Sequence, residues 1–344
     1  MELAGYLLQG RYELDRHLAD GGMGEVWSAR DRKSGAWVAV KLMRVEWTGR
    51  ADLRARFGQE AVAAQRLDSV HVVRVLDHGT EDDTPFIVME LLDGVDLYAT
   101  WKHARTWPLA EVAELTCQVA AGLSTAHRAG IIHRDVKPGN IFLVRTSHPE
   151  HASVKLIDFG IAKWDENGQV RTATNVALGS PSYMSPEQIR GERVDARVDA
   201  WALGVVVFSL ITGELPFAGR NGPEIARRVV FGQRGPFPPG VDVDGRLERF
   251  FARAFAPTIN ARFGSVDELA AAFVQTVGAR SPLRTAARSL ALAASAKQAE
   301  SSSEPAERED STLRLERRVA VPAGSSTEPL VVLSPSSEDV TAIE

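Results

Sequence analysis

The chain has 344 residues, a formal net charge of −5, 44% apolar and 25% charged residues, and one cysteine, Cys117. That length can bury a substantial core; the lone cysteine excludes an internal disulfide and suits a reducing compartment, and the longest nearly apolar run, Ala200 to Ile211, is short of the ~20 residues of a spanning helix. Residues 301–344 hold nine acids against four arginines, so the rest is balanced and offers no basic face for nucleic acid.

In chain order, Met1 to Gly10 shows no secretory pattern, so a cytoplasmic protein without a membrane segment is expected. Short strands are predicted at Tyr12–Ala19, Glu25–Arg30, Trp37–Met43, Val72–His78 and Pro85–Leu91, with turn signals at Gly21-Gly22, Ser34-Gly35 and Glu81-Asp82-Asp83. Between the third and fourth, Asp52–Asp68 spaces Leu53, Phe57, Val62, Ala64 and Leu67 as an amphipathic helix. From Leu109 the pattern turns helical, over Leu109–Ala129, Ala200–Thr212, Gly222–Phe231, Leu247–Phe255 and Val266–Thr276. Asp93-Gly94 marks the change of regime as a short flexible connection. The fold class is α+β, a small N-terminal antiparallel sheet with one helix followed by a larger, mainly helical lobe. Residues 281–344, rich in Ser, Ala, Pro and Glu, read as a disordered tail with one Ala-rich helix within 282–300.

Three groups of residues carry chemistry. Leu18-Ala19-Asp20-Gly21-Gly22-Met23-Gly24-Glu25-Val26 lies between two strands, where glycines form either an ordinary hairpin or a cover over nucleotide phosphates. Lys41 ends the strand Val38-Ala39-Val40-Lys41, and Glu60 follows on the predicted helix; such a pair is either surface decoration or a lysine held toward phosphate oxygens. His133-Arg134-Asp135-Val136-Lys137-Pro138-Gly139-Asn140, then Asp158-Phe159-Gly160, would gather two hard oxygen ligands, a base and a cation around one point. Magnesium-assisted phosphoryl transfer needs that set, and all-oxygen ligation favours magnesium or manganese.

Together these motifs resemble the bacterial branch of the eukaryotic-type Ser/Thr protein kinases, from about Tyr12 to Phe273. The resemblance implies a two-lobed kinase domain over 12–278, with a small lobe of about 12–92 and a large lobe of about 94–278, that moves the γ-phosphoryl group of ATP to Ser/Thr hydroxyls of proteins. By the same resemblance Asp135 is the catalytic base, Lys137 steadies the transferring phosphate, Asn140 and Asp158 bind the metal, and Lys41, paired with Glu60, contacts the α- and β-phosphates. Leu18, Gly21 and Gly24 belong to the phosphate cover; Val26 and Ala39 would lie above the adenine and Phe142 below, with Met89 behind, backbone groups of Glu90 to Leu92 on the purine and Asp96 at the ribose. Glu187, in the segment Gly179 to Glu187 that closes the activation loop, would pair with Arg262, and Asp199 would brace the loop containing Asp135. Arg134 implies a phosphorylated partner, for which Thr172 and Thr174 are the candidates, through a transient homodimer for trans-autophosphorylation.

Ala19 and Ser180 depart from the family's usual glycine and threonine, and Arg145 to Ala152 reads as a surface insertion whose His148 and His151 lack further metal ligands. Ala19 is the one feature favouring a pseudokinase scaffold, while the Gly179 to Glu187 segment argues against a small-molecule kinase. Thr312, Ser336 and Ser337 lie in acidic surroundings, either as docking sites for phosphothreonine-reading partners or as a solvated spacer.

Overall fold

The structure is a computed structural model and describes residues 3–21, 24–146, 152–159, 181–241 and 245–278. The expected tail, His148, His151, Thr172 and Thr174 lie outside them.

The small lobe is a six-stranded antiparallel sheet of β1 (Leu7–Leu8), β2 (Tyr12–Asp20), β3 (Gly24–Asp31), β4 (Trp37–Met43), β5 (Val75–Glu81) and β6 (Thr84–Glu90), in the order β1-β2-β3-β4-β6-β5. Registers such as Trp27↔Val40, Val40↔Val88 and Leu42↔Phe86 put alternate side chains on one face, where Leu8, Tyr12, Leu14, Trp27, Val38, Val40, Phe86 and Val88 form a core. The period of two sends Val26, Ala39, Lys41, Ile87 and Met89 to the other face. A short helix, α1 (Val45–Thr48), precedes α2 (Ala51–Gln65), which covers that second face by packing Phe57 and Ala61 against Met43 and Ile87.

A second sheet begins the large lobe. It joins β7 (Gly94–Asp96), β8 (Ile141–Arg145) and β9 (Ala152–Leu156), with α3 (Leu97–His103) and α4 (Leu109–Arg128) between β7 and β8. Gly94 is not the flexible link that its position suggested: it sits in β7 opposite Val144, where a Cβ would come within 2.0 Å of the Leu143 carbonyl oxygen. Glycine is required there by close approach of two backbones. The predicted fourth strand also starts three residues late. Residues 71–73 are committed elsewhere, with Val73 N–H donating to Leu156 O and Leu156 N–H to His71 O, both at 2.9 Å, around a parallel bridge of Val72 and Leu156.

The remaining helices are α5 (Pro186–Arg190), α6 (Arg197–Thr212), α7 (Gly222–Val230), α8 (Arg246–Ala254) and α9 (Val266–Val277). Every residue of α6 from Val198 to Thr212 is buried, and all but Asp199, Ser209 and Thr212 are apolar or glycine, as suits a central helix. Its Trp201 stacks on Phe217 at 5.4 Å and meets Phe255 edge-on at 5.3 Å. Among the described residues no helix is long and apolar enough to cross a membrane.

Arg262 crosses this core with its guanidinium 4.6 Å from the Trp201 ring centre, donating to both carboxylate oxygens of Glu187 at 2.9 Å and to the carbonyls of Ala256 and Pro257. The side chains are 2% and 6% exposed, so neither charge has water to fall back on. Removing one partner from such a pair costs about 3–5 kcal/mol. Glu187→Gln should therefore lower the urea midpoint by an amount equivalent to about 3 kcal/mol, and Glu187→Leu with Arg262→Met should recover most of it; an unmoved midpoint in the single variant would show that the pair contributes nothing.

Candidate active site

Most of the candidate residues converge where the second face of the small sheet meets β8 and the segments around it. Lys41 Nζ, on a side chain only 10% exposed, donates to Asp158 Oδ1 at 2.9 Å. A buried ammonium demands such a partner. Phe57 of α2 lies 5.8 Å from the same ammonium. Glu60 lies on α2, but its side chain is outside the description.

The loop 133–140 is built around Asp135. One carboxylate oxygen, Oδ2, accepts from Lys137 Nζ and from Asn140 Nδ2, both at 2.9 Å, and Asn140 Nδ2 also reaches the Asp135 carbonyl at 2.8 Å. Because the amide nitrogen is spent on Asp135, Asn140 Oδ1 is directed elsewhere. Ile157 N–H donates to Asn140 O at 3.0 Å, which ties the Asn140 turn to the residue before Asp158. Behind the loop, Asp199 Oδ2 and Oδ1 accept the backbone N–H groups of His133 and Arg134, each at 2.8 Å. Gln188 Nε2 donates to the Arg134 carbonyl at 3.1 Å.

Two residues here hold left-handed backbone, Arg134 at φ 63° and Asp158 at φ 55°. Aspartate tolerates this region, whereas for arginine it is a strained state of order 1–3 kcal/mol that surrounding hydrogen bonds must enforce.

Of the residues expected to line a nucleotide, Val26, Ala39 and Met89 share the Lys41 face, Leu18 falls at a bulge in β2, and Phe142 is paired with Asp96 across the second sheet. Two candidates are partly engaged otherwise. Asp96 Oδ1 caps α3 by accepting from Ala99 N–H at 2.8 Å, and Glu90 donates its N–H to Arg74 O, which leaves only the Glu90 carbonyl for the expected purine contact. The Glu90 carboxylate accepts from Lys155 Nζ at 2.7 Å and Arg74 N–H at 2.8 Å. Gly21 donates its N–H to Gly24 O at 2.7 Å, and at Gly24 a Cβ would meet the Leu42 carbonyl oxygen at 2.4 Å, so only glycine lets β3 run this close to β4.

The sequence model of the protein kinase domain matches residues 12–260. This chain belongs to the protein kinase domain family, in its bacterial Ser/Thr branch. The kinase is 39% identical over 237 residues to a probable serine/threonine-protein kinase of Clostridium perfringens, covering 69% of this chain and 33% of that one. With Pkn1 of Myxococcus xanthus it shares 38% over 263 residues, 75% of this chain and 37% of Pkn1. It therefore spans about a third of the length of these relatives. The crystal structure of the kinase domain of Mycobacterium tuberculosis PknI superposes with a TM-score of 0.60 at 28% identity, over 79% of this chain and 98% of that domain. ATP and a divalent metal ion are used throughout this family.

Gln188, Lys155 and His127, whose Nε2 lies 2.7 Å from Asp199 Oδ2, were not anticipated from the sequence. Each acts on backbone or on another acid, and no local pattern distinguishes such a residue. The kinase also buries His133 completely, with its ring 4.6 Å from Phe159 and Nδ1 accepting from Asp135 N–H at 3.3 Å. Burial pushes this imidazole below its ordinary value of 6.5, against the pull of Asp199 and Asp135. The unfolded chain thus takes the proton first as pH falls. Stability carried by neutral His133 is complete above about pH 6.5 and declines below it by at most about 1.4 kcal/mol per pH unit. Urea unfolding between about pH 5 and 7.5 should show this extra slope relative to His133→Asn; equal slopes would contradict it.

Proposed function

We propose that this kinase transfers the γ-phosphoryl group of ATP to Ser and Thr hydroxyls of protein substrates. The observation that carries the reading is the Asp135 carboxylate, 2.9 Å from both Lys137 Nζ and Asn140 Nδ2, with Asn140 hydrogen-bonded to the residue next to Asp158. Asp135 receives the acceptor hydroxyl proton as that oxygen bonds to the γ-phosphorus; the bond to the β–γ bridging oxygen breaks, and ADP leaves with its electron pair. Lys137 lies beside both and offsets charge on the moving group. Lys41 holds the α- and β-phosphates, and the backbone at Gly21 and Gly24 allows close approach above them.

The metal reading rests on the donor set. Among the described residues no three His, Cys, Asp or Glu side chains form a metal site by themselves. Asn140 Oδ1 and Asp158 are hard oxygen donors on adjoining segments, so magnesium or manganese would be held by these two and by phosphate oxygens. When bound, it would neutralise charge on the phosphates. Val26 and Ala39 lie above the adenine in this reading, with Phe142 below, Met89 behind and backbone groups of Glu90 to Leu92 on the purine, while Leu18 belongs to the phosphate cover. Ala19 pairs with Val26 at an exposed position, which leaves the backbone of the hairpin intact.

Autophosphorylation at Thr172 or Thr174, in trans through a transient homodimer, is part of the same proposal, as are a cytoplasmic location and phosphothreonine-reading partners. Arg134 supports the first, since its carbonyl and N–H are both fixed beside Asp135. Replacing Asp135 by Asn keeps the shape and removes the base. Phosphate transfer to a generic Ser/Thr substrate should fall by roughly 10²–10⁴-fold with nucleotide affinity little changed. Wild-type turnover in that variant would sink the assignment.

A further inference from the structure

Lys102, in the last turn of α3, and Arg105, two residues past its end, have no carboxylate partner among the described residues. Lys102 and Arg105 are exposed, and each lies over an aromatic ring of the same segment: Lys102 Nζ 5.8 Å from the Tyr98 centroid, Arg105 Cζ 4.5 Å from that of Trp101. Of the acids leading into α3, Asp96 accepts from Ala99 N–H at 2.8 Å and Asp93 pairs with Arg145 at 3.4 Å. A ring contact fixes where a cation sits without neutralising it. Trp101 is a rigid support, buried and donating its indole N–H to Ser209 O at 3.1 Å.

These charges border the place where an acceptor would lie. α3 packs on the 138–140 turn that directly follows Lys137, and the outward side of Gly139 is open, with no atom within 4 Å of an added Cβ. Tyr98, 49% exposed, neighbours Tyr183 in the segment leading to α5; burial, and then Tyr98, push the Tyr183 phenol up. The 138–140 turn, Tyr183 and α3 thus form one continuous border, whose α3 end is cationic.

We infer that this border selects acceptor segments rich in Asp and Glu around the target Ser or Thr, received by Lys102 and Arg105. The inference rests on the transfer reading above and adds its substrate class. Exposed ion pairs of this kind change affinity by up to roughly fivefold per charge and weaken with salt. Cations on aromatic supports also suit RNA, but the charge balance of residues 1–300 favours a peptide.

The test uses the full chain with Mg-ATP and three peptides of equal length and one central Ser, flanked by Glu, Gln or Lys. Acidic flanks should give a kcat/KM at least roughly tenfold above basic ones, and the gap should narrow in high salt. Lys102→Glu with Arg105→Gln should erase the preference through the peptide KM, with ATP KM and melting temperature unchanged; Lys102→Gln, a milder variant, should fall between. Equal or basic preference in the wild type would overturn the inference alone, as would a preference that survives the double variant or an RNA oligonucleotide bound at Lys102 in place of the peptide. Transfer to none of the peptides would overturn the kinase reading as well.

Discussion

A carboxylate with no solvent exposure, Asp199, sits in the first turn of α6 and organises the loop in front of it. Taking a charge out of water costs several kcal/mol unless its lone pairs are filled. Here the N–H groups of His133 and Arg134 fill them, together with His127 Nε2 at 2.7 Å, which must carry the ring proton because the carboxylate can only accept. The positive end of α6 adds a favourable field. These bonds hold Arg134 in left-handed backbone, and Asp135, next in line, is thereby aimed at Lys137 and Asn140. The geometry of the proposed base is set from behind, by a residue that never meets a substrate.

The small lobe depends on a different constraint, the strict alternation of its strands. One face of the sheet is filled by its own core, so the other is free to present Lys41, Val26, Ala39 and Met89 together. A slip of one residue in β4 would turn Lys41 into the core beside Trp27, Phe86 and Val88 and turn Val38, Val40 and Leu42 out of it. The unbroken β3–β4 register from Gly24↔Met43 to Arg30↔Trp37 guards against that.

Much of this was legible in the residues because period and chemistry agree there. The strands of the small sheet, α4, α6, α8 and α9 follow from apolar spacing, and the residues around Asp135 and Asp158 announce themselves by type and order. What escaped has a common cause: β7, β9 and α3 are short, and their pairing is decided by partners far along the chain. Val72 and Val73 have the composition of a strand, yet their backbone joins β9, and sequence spacing carries no trace of that partner. Gly94 looked like a joint for the same reason, since a glycine demanded by a neighbouring carbonyl and one demanded by mobility are the same letter.

The join between residues 71–73 and β9 also shapes how the cleft can breathe. Backbone bonds at His71, Val73 and Leu156, with Lys155 clasping Glu90, fasten the rear of the small lobe to the strand that leads into Asp158. A structure stapled at the back can open only at the front. The hairpin of β2 and β3, at the far side of the sheet from this seam, has the longest lever arm, so nucleotide entry and exit would be read out as a swing of that hairpin about a stationary spine.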